Sequence, residues 1–196
     1  MKLLVALAVC GAFLALFAGC EKERLMPRQS WGHFRAKVNG RNWEHTYRNA
    51  FQAVRAKEEY VDSTCKRMVI YSLLFDSGGD LEEELYFTNI PTKTGRYKIM
   101  PNRHYSCEDS TFIFSQLVAF TNFDMFRDPY EVVESEDNYL QIDQFQENGN
   151  REIKGRFNVT YVLRSPRSAN SHEDTLRFTN GTFHTKILTP GKGGLL

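Results

Sequence analysis

Residues 139–163 read YLQIDQFQENGNREIKGRFNVTYVL, and this stretch decides the fold class. Apolar and polar side chains alternate along 139–145 and again along 152–163. A period of two residues is typical of a β-strand that buries one face, because successive side chains point to opposite faces of a sheet. Asn148-Gly149-Asn150 lies between the two runs and tolerates the backbone angles of a tight turn. The stretch therefore predicts a β-hairpin.

The same alternation continues on both sides of this hairpin. Further strands are predicted at residues 34–38, 50–56, 67–75, 82–88, 95–99, 111–120, 175–179 and 182–188. Turns are predicted at Asn39-Gly40, Asp76-Ser77-Gly78-Gly79-Asp80 and Asn180-Gly181. The apolar run 111–120 suits a central strand or a barrel wall, whereas 122–137 is irregular and acidic. Because no long segment has a helical period, we predict one all-β domain, an antiparallel sandwich or barrel of about eight to ten strands.

The N-terminus has the three parts of a secretory signal: the basic Lys2, an apolar run, and the small residues Ala18 and Gly19. Its ending, Leu16-Phe17-Ala18-Gly19-Cys20, resembles a lipobox, although Phe17 stands where an aliphatic residue is more usual. We therefore predict cleavage before Cys20 and attachment of lipid, palmitate included, to that cysteine. The alternative is a membrane-spanning anchor, which needs about 20 apolar residues, and the run is shorter than that.

This interpretation divides the chain into four parts. A lipoprotein signal peptide spans 1–19, a lipidated tether 20–30, the β domain 31–190 and a C-terminal tail 191–196. Glu21 directly after the cysteine resembles lipoproteins that travel to the outer membrane. The expected location is the cell envelope, with the lipid as membrane anchor and the outer membrane as destination.

The charges and cysteines narrow the chemistry. Lys plus Arg number 25 and Asp plus Glu number 24, so the basic surplus of a nucleic-acid-binding protein is missing. Cys10 leaves with the signal and Cys20 carries lipid, which leaves Cys65 and Cys107 to form a disulfide in an oxidising compartment. The alternative is two free thiols, and a zinc site is disfavoured because neither cysteine has a second ligand at the usual spacing.

Motifs of catalysis and of cofactor binding are missing from the sequence. The histidines His33, His45, His104, His172 and His184 are scattered without metal-ligand spacing. A nucleophile elbow, a P-loop and a dinucleotide-binding turn do not occur, and Cys107 near His104 is better explained by the disulfide. We therefore expect no catalytic residue, no metal and no cofactor, and we expect that the protein is not an enzyme.

The irregular acidic segment is the loop most suited to bind a ligand. It carries the carboxylates Asp124, Asp128, Glu131, Glu134, Glu136 and Asp137. This segment and the loop 76–80 can in principle offer the oxygen ligands of Ca²⁺, which takes about six to eight, although a plain turn is favoured at 76–80. A pair of the carboxylates in 124–137 can in principle hydrolyse a glycan. Solvated loops are often acidic too. Aromatic faces stack on sugars, and the candidate ligand-binding side chains are Tyr105, Phe123, Phe126 and Tyr130.

Three short segments carry a family resemblance. Phe34-x-Ala36-x-Val38-Asn39-Gly40-x-x-Trp43, Ile153-Lys154-Gly155-Arg156-Phe157 and Thr179-Asn180-Gly181-Thr182-Phe183 together resemble a family of small β-rich lipoproteins from Bacteroidetes whose function is unknown. The resemblance implies a lipid-anchored all-β domain and assigns no catalytic residue. The physical interpretation is that Gly155 marks a bulge or a close backbone approach, and that Phe157 and Phe183 pack in the core. Trp43 is predicted to cover the core, with a ligand-stacking surface as the alternative.

The function expected from these observations is a non-catalytic binding or interaction module of the cell envelope, with a glycan or an envelope protein as partner. The first alternative is a structural or assembly accessory of an outer-membrane complex. The second alternative is a glycan hydrolase that uses loop carboxylates such as Glu131, Glu134 and Glu136.

Overall fold

The computed structural model describes residues 30–44, 51–60, 66–76, 78–102, 111–121, 126–164 and 173–188. These residues form eleven strands and no helix. The strands are β1 Gly32–Val38, β2 Arg41–Trp43, β3 Phe51–Tyr60, β4 Lys66–Phe75, β5 Leu81–Thr88, β6 Gly95–Pro101, β7 Ile113–Thr121, β8 Phe126–Val132, β9 Tyr139–Gln146, β10 Glu152–Leu163 and β11 Thr175–Leu188.

A single sheet contains all of these strands, in the order β2-β1-β11-β3-β4-β5-β7-β6-β9-β10-β8. Because β10 also pairs with β11, eight strands of the described chain close into a barrel, and β1, β2 and β8 are additional. The all-β prediction is confirmed, and the structure selects the barrel. Two pairings, β11 with β3 and β6 with β7, are parallel, whereas the sequence predicted an antiparallel sheet.

The hairpin that decides the fold class is confirmed. β9 pairs antiparallel with β10 from Tyr139 opposite Asn158 to Gln146 opposite Glu152. The turn after β1 is confirmed as well, since Asn39 and Gly40 have φ values of 49° and 82°, the left-handed region that tight hairpin turns require.

The predicted turn at Asn180-Gly181 is wrong, because β11 runs through it without reversing. Asn180 has a φ of 53°, and β11 contains one extra residue here against both β1 and β10. The Asn180 amide donates to Asn158 Oδ1 at 3.0 Å. The Asn-Gly pair therefore makes a β-bulge, which uses the same left-handed backbone as a turn but lets the strand continue.

The prediction of an irregular segment at 122–137 is also wrong in part, because β8 lies within it. Pro129 has no N–H to donate, which argues against a central strand. Its carbonyl nevertheless accepts a hydrogen bond from the Arg164 amide at 3.1 Å, and its neighbours pair with β7 and β10. Tertiary pairing on both sides stabilises a strand that its local sequence does not favour.

β7 is central, as the apolar run predicted, because it pairs with β5, β6 and β8. Its inward side chains Ile113, Ser115, Leu117 and Ala119 are at most 1% exposed, while the alternating outward residues Phe114, Gln116 and Val118 are half-buried. β7 is therefore a barrel wall with one buried face and one outer face.

Aromatic rings fill the barrel. Phe34 lies 5.4 Å from Phe157 and 5.5 Å from Phe183, measured between ring centroids. Trp43 is buried, as predicted, and it packs edge-to-face on Phe178 while its Nε1 donates to Glu83 Oε2 at 3.0 Å. Edge-to-face and offset ring pairs of this kind stabilise a core by about 0.5–1.5 kcal/mol beyond the area they bury.

Two glycines make room for these rings on the neighbouring strand. Gly155 on β10 lies opposite Phe183 on β11, and Gly181 on β11 lies opposite Phe157 on β10. A Cβ at Gly155 would lie 2.0 Å from the Gln141 carbonyl oxygen and 2.7 Å from the Phe183 ring. The predicted close backbone approach at Gly155 is confirmed. The register with β9 also shifts between Lys154 and Gly155, but the extra residue is Asp143 on β9, so the bulge lies opposite Gly155 and not at it.

No helix among the described residues has the length and the apolar character that crossing a membrane requires.

We predict that Gly155→Ala lowers the free energy of unfolding by at least about 2 kcal/mol, because the methyl group meets backbone and ring atoms that cannot both move away. Denaturant unfolding followed by tryptophan fluorescence measures the change. Gly78→Ala is the matched control, since its added Cβ meets the Asp76 carboxylate at 3.1 Å and nothing of the core. Equal stability of the two variants would contradict the packing described here.

Candidate functional site

The outer wall of the barrel has a gap where β7 changes partner. Its first half pairs with β6 up to Ser115, which lies opposite Pro101. Its second half pairs with β8 from Gln116, which lies opposite Glu131. β6 and β8 occupy the same side of β7 and do not continue into each other. Their separation opens a cleft in the outer wall.

The cleft has a volume of about 400 Å³. Its lining comes from Asn102 after β6, Ser115 and Gln116 of β7, residues 129–131 of β8, and Arg164 after β10. A concave site with a few convergent polar groups is the usual form of a ligand-binding site. We therefore treat this cleft as the candidate functional site.

Hydrogen bonds hold the amides of the cleft in place. Tyr86 Oη donates to Gln116 Oε1 at 2.7 Å, and Asn102 Nδ2 donates to Tyr86 Oη at 2.5 Å. On the inner side, Ser115 Oγ donates to the Tyr86 carbonyl at 2.7 Å. Side chains that are fixed before a ligand arrives lose little rotamer freedom when it binds.

Asn102 also brings an unsatisfied polar atom to the wall of the cleft. Its Oδ1 is buried, and no donor of the described residues reaches it. A buried acceptor without a donor costs about 1–3 kcal/mol. Asn102 therefore has hydrogen-bonding capacity that its contacts with the described residues leave unused.

Ser115 is placed for structure and not for nucleophilic attack. Its hydroxyl donates to a backbone carbonyl and contacts Tyr161 Oη, at 2.5 Å. Tyr161 is fully buried, and burial raises the pKa of its phenol, so the phenol stays neutral. A carbonyl and a neutral phenol draw no proton from serine, whereas a serine nucleophile needs an adjacent base.

The charges at the rim of the cleft are paired. Arg164 Nε lies 3.6 Å from Glu131 Oε2. The Arg164 side chain is 67% exposed and the Glu131 side chain only 17%, so the guanidinium covers the carboxylate from the solvent side. The cleft therefore presents amide and hydroxyl groups with little net charge.

Of the four aromatic residues predicted to bind a ligand, only Tyr130 has a side chain that the structure describes. Tyr130 lines the cleft but is 1% exposed, and its Oη donates to the Glu173 carbonyl at 3.0 Å. The prediction that its ring is an exposed stacking surface is wrong, because Tyr130 is an inward residue of β8 that belongs to the core. Phe126 begins β8, and its side chain lies outside the described residues together with Tyr105 and Phe123. The predicted signal at 1–19, the predicted lipidation site Cys20, and the predicted disulfide between Cys65 and Cys107 lie outside them too.

Three described carboxylates of the predicted acidic loop, Glu131, Glu136 and Asp137, each contact a different arginine. Glu131 faces Arg164, and Asp137 Oδ2 accepts from Arg96 at 2.7 Å. Glu136 accepts from Arg177 and from Thr160 Oγ1, and these hydrogen bonds hold the pKa of Glu136 below its usual value. A glycan hydrolase needs one carboxyl group with a raised pKa, which is the opposite shift.

Two of the five histidines are described, and they lie together on the outer face. The rings of His33 on β1 and His184 on β11 are 5.9 Å apart, edge to face, and His184 Nε2 lies 2.9 Å from Glu152 Oε2. Across the described ranges, no three His, Cys, Asp or Glu side chains are grouped so that they can hold a metal ion.

Most residues of the cleft were not predicted from the sequence. Asn102, Gln116, Tyr86 and Arg164 come from four separate parts of the chain, and none belongs to a recognisable motif. Gln116 is the one local signal, since it is a polar residue within the apolar run 111–120. That signal marks an outward position on a barrel wall, but it does not say which strands lie beside it.

The chain matches no protein-family model, no curated protein and no solved structure. The resemblance to Bacteroidetes lipoproteins therefore stays a prediction.

We predict that His33 makes the protein less stable below about pH 6.5. Burial lowers the pKa of His33, and the charges of Arg35 and His184 lower it further. Between the two pKa values of His33, the unfolded chain binds a proton that the folded chain does not bind. The free energy of unfolding therefore falls as the pH drops from 6.5 towards the pKa of His33 in the folded protein. Above this window the contribution is constant.

Denaturant midpoints of the wild type and of His33→Gln, measured at about pH 7.5 and pH 5.5, check this prediction. The wild type should lose more stability over the interval than the variant. Glu152, whose pKa is lowered by its hydrogen bond from His184, contributes only at lower pH. Identical losses in the two proteins would show that His33 is not the titrating group.

Proposed function

We propose that this protein is a non-catalytic binding module of the bacterial cell envelope, and that its cleft takes a neutral glycan. A lipid on Cys20 would hold the domain at a membrane, in accord with the lipobox-like residues 16–20. The observation that carries the proposal is the cleft at the point where β7 changes partner, lined by two carboxamides and closed at its rim by a paired charge.

The donor set supports a glycan. A carboxamide offers both N–H donors and a carbonyl acceptor, and a sugar hydroxyl likewise donates and accepts. Asn102 and Gln116 place two such groups in one cleft, next to the Tyr86 hydroxyl. The acetamido group of an N-acetylated sugar also offers one N–H donor and one carbonyl acceptor, which match the groups of a carboxamide.

The charge of the cleft supports a neutral ligand. Arg164 and Glu131 neutralise each other at the rim, so neither a phosphate nor an ammonium group finds an unpaired partner in that ion pair. The hydrogen bond from Arg177 lowers the pKa of Glu136, which disfavours Glu136 as the acid of a carboxylate-dependent hydrolase, since an acid catalyst must hold a proton near neutral pH.

A role as an assembly accessory of an envelope complex is the second candidate. Phe51 is 46% exposed and lies opposite Phe75 on the outer face, next to the small apolar cluster of Ala53 and Leu73. Crosslinking in the intact envelope tests this role. A constant protein partner that is lost in Phe51→Ser would favour it over glycan binding.

The cleft is tested by calorimetric titration of the mature chain with neutral oligosaccharides built from N-acetylglucosamine, glucose, mannose or galactose. We predict that one of these binds and that Gln116→Ala weakens its affinity by about tenfold, since one hydrogen bond to a half-buried amide is worth roughly 1 kcal/mol or more. Gln144→Ala removes an exposed carboxamide on β9 and is the matched control. If none of the sugars binds, or if the two variants lose affinity equally, the proposed function is wrong.

The lipid anchor is tested by labelling with radioactive palmitate in a bacterial host. We predict that the wild type takes up the label and that Cys20→Ala takes up none and stays at the size of the uncleaved precursor. Cys10→Ala, a cysteine substitution within the signal itself, should still be labelled. Labelling of the Cys20→Ala chain would contradict the assignment.

A further inference from the structure

We propose that the cleft is part of a longer binding surface that crosses the strands, and that this surface takes a linear oligosaccharide. The inference rests on the proposed function and names the form of its ligand. The surface consists of Tyr71, Tyr86, Gln116, Glu131 and Val162, which we call the outer row.

Strand register aligns the outer row. Tyr71 lies opposite Tyr86, Tyr86 opposite Gln116, Gln116 opposite Glu131, and Glu131 opposite Val162, through β4, β5, β7, β8 and β10. Directly opposite residues share one face of a sheet. Their sequence neighbours Ile70, Leu85, Leu117, Tyr130 and Tyr161 belong to the core. The outer row therefore faces away from the core, and it runs across the strands.

The outer row is long enough for several sugar rings. Neighbouring strands lie about 4.8 Å apart, so four steps from Tyr71 to Val162 cover roughly 19 Å of wall. The cleft lies within this length, at Gln116 and Glu131. A single sugar in the cleft therefore leaves the two ends of the outer row uncovered.

The two ends of the outer row carry carbon-rich side chains, the tyrosine rings at one end and Val162 at the other, whereas Gln116 and Glu131 in the middle are polar. The rings of Tyr71 and Tyr86 are half-buried, with centroids 6.2 Å apart, and Val162 at the other end is 40% exposed. A linear glycan presents C–H faces as well as hydroxyl groups. An apolar contact on each side of a polar cleft matches a chain that extends from the cleft in both directions.

A hydrogen bond and two cation–π contacts fix the side chain of Tyr71. Its Oη donates to Glu59 Oε1 at 2.6 Å, while the Arg55 guanidinium and the Lys57 ammonium lie 5.7 and 5.1 Å from its ring centroid. Lys57 also pairs with Glu59 at 2.8 Å. A ring fixed in this way offers contact area to a ligand at little cost in side-chain entropy.

The geometry favours a glycan over a peptide. Extended peptides bind sheets by adding a strand at a free edge. β4, β5 and β7 each pair with a strand on both sides along the outer row, so they offer no free edge there. A ligand that lies across these strands is recognised by side chains alone.

The length of the ligand tests the outer row. The mature chain is titrated with N-acetylglucosamine and its linear di-, tetra- and hexasaccharides, and with the same lengths of glucose, mannose and galactose oligomers. We expect the affinity of the wild type to rise by about tenfold or more from the monosaccharide to the hexasaccharide of the sugar that binds. Tyr71→Ala should abolish most of that rise and leave monosaccharide binding unchanged.

Two further variants make the result decisive. Val162→Ser changes an exposed residue at the other end and should reduce the rise without disturbing the fold. Tyr139→Ala is the matched control. Tyr139 is an outer-face tyrosine of β9, and the Arg96 guanidinium carbon lies 3.7 Å from its ring centroid. Because Tyr139 is not part of the outer row, its removal should leave the affinity unchanged at every length. Gln116→Ala should weaken every length alike.

The two proposals fail in different ways. Affinity that does not depend on length, but is still lost in Gln116→Ala, overturns the outer row and leaves the cleft standing. A length dependence that survives both Tyr71→Ala and Val162→Ser overturns the outer row as well. Absence of binding at every length and for every sugar overturns both proposals.

Discussion

The barrel closes because two phenylalanine rings fit where two glycines have no side chain. β10 and β11 pair along most of their length, and in the middle Gly155 faces Phe183 while Phe157 faces Gly181. Each ring lies over the backbone of the opposite strand and still reaches Phe34 in the centre of the core. A shift of the register by two residues would place Phe157 directly opposite Phe183, ring against ring. The exchange therefore fixes the register of the longest strands, and every other strand is positioned relative to them.

Local patterns predicted the parts of the fold that depend on local chemistry. The hairpin at 139–163 and the Asn39-Gly40 turn follow from alternation and from residues that accept positive φ, and both are present. The same reasoning failed at Asn180, because a left-handed Asn serves a bulge as well as it serves a turn. β8 was missed because Pro129 disfavours a strand locally, and the pairing on both sides that overrides it comes from distant residues.

The candidate site was harder to predict for the same reason. Tyr130 was singled out by residue type, yet its position on the inward face of β8 makes it a core residue. Asn102 and Gln116 have no sequence signal that joins them, since they meet only because β6 runs parallel to β7 and ends beside it. The alternation of side chains within one strand does not determine which strands lie beside it in the barrel. Sequence periodicity therefore predicts which face of each strand is buried. The strand order, which periodicity does not predict, determines which residues meet in the cleft.

The barrel can close only after the last strand, β11, is in place. Thr185 on the last strand donates to the Trp31 carbonyl, 154 residues away along the chain, and the same strand pairs with both β1 and β3. Contacts between the ends of a chain make folding slow, because a large loop must close before they form. The first strands keep open edges until the last strand has been made. The barrel therefore cannot close until the C-terminal strand β11 is available to pair with β1, β3 and β10.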